Sequence, residues 1–185
     1  MHATFAVDAI KRSKSPYLYM RPGTGKSFVI LLTFVMLRLE KGTSMKVAIT
    51  TFNKMLLEQL EEFSTGFNIG ANVEFRLPKD FDERINWDCV FVDETFHQLI
   101  ESKIAYGRDG HLTGIFKMGK VGKTRCYLGG DYTADLEPIL KLIDPKVVFY
   151  KDWPSLFDMI NLTAYNPMKV ICREPMDMLK DEIIR

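Results

Sequence analysis

An aromatic and apolar run, Tyr17-Leu18-Tyr19-Met20, is broken at once by Arg21-Pro22-Gly23-Thr24-Gly25. From Ser27 the chain returns to good helix formers and large apolar residues, which continue to Lys41 before Gly42. A short buried strand, a glycine-rich break and a long apolar helix in direct succession admit few folds. The strand needs a sheet to join. The helix, apolar nearly all round, is expected to be buried.

The rest of the chain repeats this alternation. Strands are expected at 46–51, 73–77, 88–93, 125–128, 146–150 and 169–172. Helices are expected after Asn53, a good N-cap, with Leu56, Leu57, Leu60 and Phe63 on one face, and near 95–104, 134–143 and 156–164. Alternation of this kind implies an α/β fold, a parallel sheet with helices on both faces. Ligands of such sheets sit beyond the carboxyl ends of the strands. The expected organisation is one domain over 1–150 and a passage towards a second over 151–185, with no internal repeat.

Composition narrows the class. Hydrophobic residues make up 46% and charged residues 26%, enough for a packed core. The formal net charge is +1, so nucleic-acid binding would need a local patch. The three cysteines, Cys89, Cys126 and Cys172, are widely spaced and odd in number, against a disulfide scaffold or a zinc motif. A reducing, intracellular and cytoplasmic setting fits them. The longest apolar run, 28–37, is about half of a membrane span.

The break carries chemistry. Residues 20–27 read MRPGTGKS and match the end of a phosphate-binding loop between strand and helix. Pro22, Gly23, Thr24 and Gly25 would turn the backbone close to an anion, with N–H groups and the helix N-terminus facing it. Lys26 would reach the β- and γ-phosphates, and the Ser27 hydroxyl would hold Mg²⁺. Met20 stands where such a loop normally has its first glycine. The alternative is a glycine-rich turn with an exposed lysine.

Val90-Phe91-Val92-Asp93-Glu94 is an apolar strand ending in two carboxylates. Adjacent acids at a buried strand end are costly unless they bind something. Beside a phosphate loop, Asp93 would hold the metal and Glu94 would orient and deprotonate the attacking water. Alone, the pair also suits an acidic turn capping the next helix. His97 is a further candidate, equally suited to a helix surface.

Together these segments resemble the first RecA-like domain of a helicase, and more narrowly of superfamily 1. GTGKS resembles its motif I and VFVDE its motif II. KVAITTFNKMLLEQL is similar to motif Ia, which places Thr50, Thr51 and Asn53 where that family touches the nucleic-acid backbone. CYLGGD, 126–131, resembles motif III; Gly130 and Asp131 match, and Ala134 stands where the family has glutamine. The segment around Arg173 is similar to the entry into a second RecA-like domain, where a family arginine meets the γ-phosphate. The short motif set is similar to that of positive-strand RNA virus helicases.

The resemblance implies a RecA-like P-loop NTPase that uses ATP or another NTP with Mg²⁺. Its partners would be single-stranded nucleic acid, RNA over DNA, and a second RecA-like domain. Lys26, Glu94, Asp131 and Arg173 would be catalytic, with Asp131 sensing the γ-phosphate through water. The chain by itself would hydrolyse nucleotide slowly, because the second domain supplies an arginine worth about a thousandfold or more. Two rivals remain: another phosphate-loop ATPase, AAA+ or a nucleotide kinase, and a degenerate RecA-like module kept for binding.

Residues 101–125 hold six basic and two acidic side chains and five glycines. Arg108, Lys117, Lys120 and Lys123 could follow a single strand's phosphates, with Tyr106, His111 and Phe116 stacking on bases. A solvated glycine-rich insertion explains the same composition equally well.

Overall fold

A computed structural model describes residues 2–20, 23–42, 44–66, 73–81, 84–95, 98, 121–130 and 136–150. Six strands form one parallel sheet: β1 (Ser15–Tyr19), β2 (Val47–Thr50), β3 (Val73–Phe75), β4 (Cys89–Val92), β5 (Thr124–Gly129) and β6 (Val147–Tyr150). Their order is β3-β2-β4-β5-β1-β6. The described helices are α1 (His2–Lys11), α2 (Lys26–Lys41), α3 (Lys54–Thr65) and α4 (Leu136–Ile143), with a 3₁₀ turn at Pro78–Asp80. The expected α/β architecture is the observed one.

Strand alternation divides the core in two. Leu18, Val47, Ile49, Cys89, Phe91, Cys126 and Leu128 point to one face and meet Ala6, Val7 and Ile10 of α1, Ile30, Phe34 and Leu37 of α2, and Leu60 of α3. Tyr17, Ala48, Val90, Val92, Tyr127 and Val147 point to the other and meet Leu136, Leu140 and Ile143 of α4. Both faces are covered, as an all-parallel sheet requires.

Helix α1 is not among the expected elements. Four of its five buried positions, Ala3, Ala6, Val7 and Ile10, follow the i, i+3, i+4, i+7 spacing of an amphipathic helix, and Ala9 is the fifth. Helix α2 is less buried than its composition implies: Phe28, Leu32, Val35 and Leu39 remain exposed. Only one side of it meets the sheet. Asn53 caps α3 as expected, its Oδ1 accepting from the Leu56 N–H at 2.9 Å. Gly42 ends α2 at φ 88°, its N–H donating to the Arg38 carbonyl. The expected strand 169–172 and helices 95–104 and 156–164 lie partly or wholly outside the described residues.

At the amino ends of β1 and β5 a buried ion pair ties loop to helix. Arg125 Nε lies 2.6 Å from Asp144 Oδ2, and its Nη1 donates to the carbonyls of Val121 and Gly122. Tyr127 donates its hydroxyl to the same carboxylate at 3.0 Å. This satisfied network is what permits a charge pair in the core.

Candidate nucleotide and metal site

β1 ends at Tyr19, and Met20 follows with its N–H donating to the Gly129 carbonyl. The Met20 side chain is buried in the core on the α2 face. It therefore occupies the core instead of the loop. Gly23 and Gly25 take φ 76° and 85°, a left-handed backbone that disfavours any side chain. Gly25 is the N-cap of α2 and brings no side-chain cap, so the first turn's N–H groups face outward with the positive end of the helix dipole. Lys26 and Ser27 are the first two helical residues, both half-buried. A strand, a left-handed glycine turn and an uncapped helix N-terminus form an anion cradle.

The acids come from β4, which is not the neighbour of β1. β5 lies between them, so the two strand ends are roughly 10 Å apart. β5 ends at Gly129, where an added Cβ would collide with the Tyr17 hydroxyl packed against it. Past the end of β5 Lys26 Nζ meets Glu94 Oε1 at 2.7 Å, with the side chains only 12% and 19% exposed. The fold thus brings Lys26 and Glu94 together.

Asp93 is 6% exposed, and its Oδ1 has no hydrogen-bond partner among the described residues. Burial pushes its carboxyl up to about 6, the Glu94 charge pushes the same way, and Lys26 and the Glu94 N–H pull it back. Glu94 sits at φ 49°, in the left-handed region where a non-glycine residue is strained by about 1–2 kcal/mol. Two neighbours brace this turn. Gln98 Nε2 donates to the Asp93 carbonyl at 2.7 Å, and Thr95 Oγ1 to the Val92 carbonyl at 2.9 Å. Neither contact was expected, and nothing in the local sequence marks Gln98 for the part.

An orphaned carboxylate oxygen and a helix-start serine hydroxyl suit a hard cation. Among the described residues no cluster of three or more His, Cys, Asp or Glu could hold a metal. Mg²⁺ takes few protein ligands and keeps waters and substrate phosphates in its shell, and the Ser27 hydroxyl and Asp93 carboxylate are oxygen donors of the type it binds.

Thr50 and Thr51 are fully buried at the end of β2, and the Asn53 side chain is engaged as the α3 cap. Lys123 precedes β5, at the end of the sheet opposite the phosphate loop, and pairs with Asp88 at 2.6 Å. Arg125, counted in the basic stretch, is buried against Asp144. Pro22, His97, Arg108, Lys117, Lys120, Asp131, Ala134 and Arg173 lie outside the described residues.

No protein-family model matches the sequence, and no curated protein matches it. Solved structures do match by fold. The SWI2/SNF2 ATPase core of Sulfolobus solfataricus in complex with dsDNA has a TM-score of 0.55 at 12% identity, covering 82% of this chain and 43% of its own. A hypothetical ATP-dependent RNA helicase from Sulfolobus tokodaii gives 0.55 at 12%, with coverage of 80% and 51%. The large terminase of bacteriophage HK97 gives 0.51 at 11%, with coverage of 96% and 45%. The chain thus spans about half the length of the structures it matches. The fold is the α/β RecA-like P-loop fold found in ATP-driven motor cores. No helix among the described residues is long and apolar enough to cross a membrane.

Proposed function

We propose that the chain is the nucleotide-binding motor domain of an ATP-dependent nucleic-acid helicase or translocase. The observation that carries this is the juxtaposition of Lys26 with Glu94, beside a buried Asp93 with one oxygen unsatisfied, at the uncapped start of α2. In this reading the amides from Gly23 to Ser27 and the Lys26 ammonium bind the phosphates. Ser27 and Asp93 hold Mg²⁺, which when bound neutralises charge on the phosphate oxygens. Glu94 orients the attacking water and takes its proton. Asp131 senses the γ-phosphate and Arg173 completes the site, by their motif positions alone. A second RecA-like domain, in cis or in trans, closes over the nucleotide.

The nucleic-acid side stands on the resemblance of motifs Ia and III and on what the structural neighbours are named for. The superfamily 1 assignment and a viral replicase setting rest on the sequence motifs alone, with Gly130-Asp131 as their best match. A single strand, RNA in the first instance, is the expected partner. One of the neighbours is an ATPase core in complex with dsDNA, so duplex DNA belongs in the test.

The test is ATP hydrolysis by this chain, and by one extended beyond residue 185, without nucleic acid and with single-stranded RNA, single-stranded DNA or duplex DNA. Stimulation by nucleic acid that is abolished in Lys26→Ala is the expected result. Nucleotide binding undiminished in Lys26→Ala overturns the assignment. Activity indifferent to every nucleic acid, with ring formation, favours an AAA+ type ATPase instead.

A further inference from the structure

We infer that Thr51 is a positioning residue of this site: its hydroxyl, beside Asp93 Oδ1, holds a water of the hydrated Mg²⁺ that accompanies the nucleotide. The inference deepens the function proposed above and rests on it.

Strand register brings the two residues together. Val47, Ala48, Ile49 and Thr50 of β2 pair in order with Cys89, Val90, Phe91 and Val92 of β4. The Asp93 N–H donates to the Thr50 carbonyl at 2.8 Å, the bond that closes the Thr50–Val92 pair and sets Asp93 beside the peptide joining Thr50 to Thr51. Side chains alternate along both strands. Val47, Ile49, Cys89 and Phe91 belong to the core on the α2 face, and Ala48, Val90 and Val92 to the opposite one. Thr51 and Asp93 continue the α2-face row, the face that carries the open helix N-terminus. Thr50, by the same alternation, belongs to the other face.

Both residues hold an oxygen that the fold leaves unsatisfied. Thr51 is 0% exposed and Asp93 6%. Thr51 Oγ1 and Asp93 Oδ1 have no hydrogen-bond partner among the described residues. A buried polar atom without a partner costs about 1–3 kcal/mol, so such atoms are rare and call for a reason. Two of them just past the last pair of these strands, on one face, point to a single guest. A guest that donates one proton to the carboxylate and another to the hydroxyl oxygen satisfies both. Water does both, and Mg²⁺ retains several waters when it binds through few protein ligands. A hydroxyl bonded to such a water would fix the orientation of the shell, as groups around a metal's direct ligands commonly do.

The experiment compares the affinity of the full chain for a fluorescent ADP analogue in Mg²⁺ and in EDTA, for the parent, Thr51→Val and Thr51→Ser. Mn²⁺ binding in the presence of ADP, followed by electron paramagnetic resonance, is the second readout, and thermal melting without ligand verifies folding. Thr51→Val keeps the shape and removes the hydroxyl. Its Mg²⁺-dependent gain in affinity, and its Mn²⁺ affinity, are expected to fall about ten- to a hundredfold, with Thr51→Ser restoring both. A Thr51→Val chain with the parent's gain overturns the inference, as does a Thr51→Ser chain that behaves like the valine variant. A parent that binds ADP equally with and without Mg²⁺ also overturns it while leaving nucleotide binding intact. A parent that binds no nucleotide in either buffer removes the proposed function itself.

Discussion

Before nucleotide arrives, Lys26 is committed to Glu94. The pair is 2.7 Å long and its side chains are 12% and 19% exposed, so it is worth more than a surface ion pair. Hydrogen bonds to charged groups in such settings contribute about 1.5–3 kcal/mol. Phosphate binding must detach the ammonium from Glu94, and part of the gross affinity is lost to that step. Glu94→Gln weakens the contact to a hydrogen bond with a neutral amide and keeps the side chain's length, so the left-handed backbone at φ 49° is equally strained in both forms. It also removes a negative charge from beside the incoming phosphates. Glu94→Gln is therefore expected to bind ATP about ten- to a hundredfold more tightly, at about 1.4 kcal/mol per factor of ten, while hydrolysis is lost with the base. Isothermal titration with ATP in EDTA isolates the protein's contribution from the metal's. Equal or weaker ATP binding by Glu94→Gln would refute the idea that this ion pair holds Lys26 back.

Two charged positions give predictions of opposite sign for stability. The folded chain holds a proton on Asp93 more firmly than the unfolded chain does, at about 6 against 3.8, chiefly through burial. Asp93 therefore opposes folding by about 3 kcal/mol above that range, and the opposition fades as pH falls from about 6 to about 4. Asp93→Asn is expected to raise the metal-free melting temperature at neutral pH and to make no difference near pH 4; a lower melting temperature at neutral pH contradicts the account. For Asp144, burial pushes the carboxyl up, but the Arg125 hydrogen bond and charge outweigh it and leave the group below its usual range. Its contribution is present above about pH 4 and is lost as pH falls further. Asp144→Asn leaves Arg125 buried without its counter-charge and is expected to cost about 3–5 kcal/mol in urea unfolding at neutral pH, the gap narrowing in acid. Cys89 and Cys126 are fully buried, with thiols pushed up to about 12 and well above the usual value, so both are expected to resist alkylation until the chain unfolds.

The alternation of apolar runs and capped helices was enough to specify a parallel sheet covered on both faces, because each of those signals is local. Asn53 and Gly42 act at the helix ends as their residue types suggest. Helix α1 is equally legible in the spacing of Ala3, Ala6, Val7 and Ile10, although its small alanines make a weaker apolar stripe than the runs that follow. Charge was the poorest guide. Arg125 looks like one more cation in a basic, glycine-rich stretch, yet its partner Asp144 comes from the turn that follows α4. Local composition does not distinguish a solvated charge from one matched across the fold.

The site shows the same division between local and long-range information. The glycines of the loop and the paired acids of β4 announce themselves, since each carries its chemistry within a few residues. Their meeting depends on strand order. Had β4 paired directly with β1, the acids would stand one strand from the loop; with β5 between them, Lys26 still reaches Glu94, and Asp93 keeps an oxygen without a partner among the described residues. Met20 illustrates the point from the other side. Measured against the loop motif it is a misfit, but as the residue after β1 it takes a core position on the α2 face and leaves the turn to Gly23 and Gly25. Thr51 is the converse case, similar in motif to a nucleic-acid contact and set just past the β2–β4 pairing, on the face of the carboxylate that would hold the metal. Residue type thus announces which chemistry is available, and the order and register of the strands decide which of those groups act together.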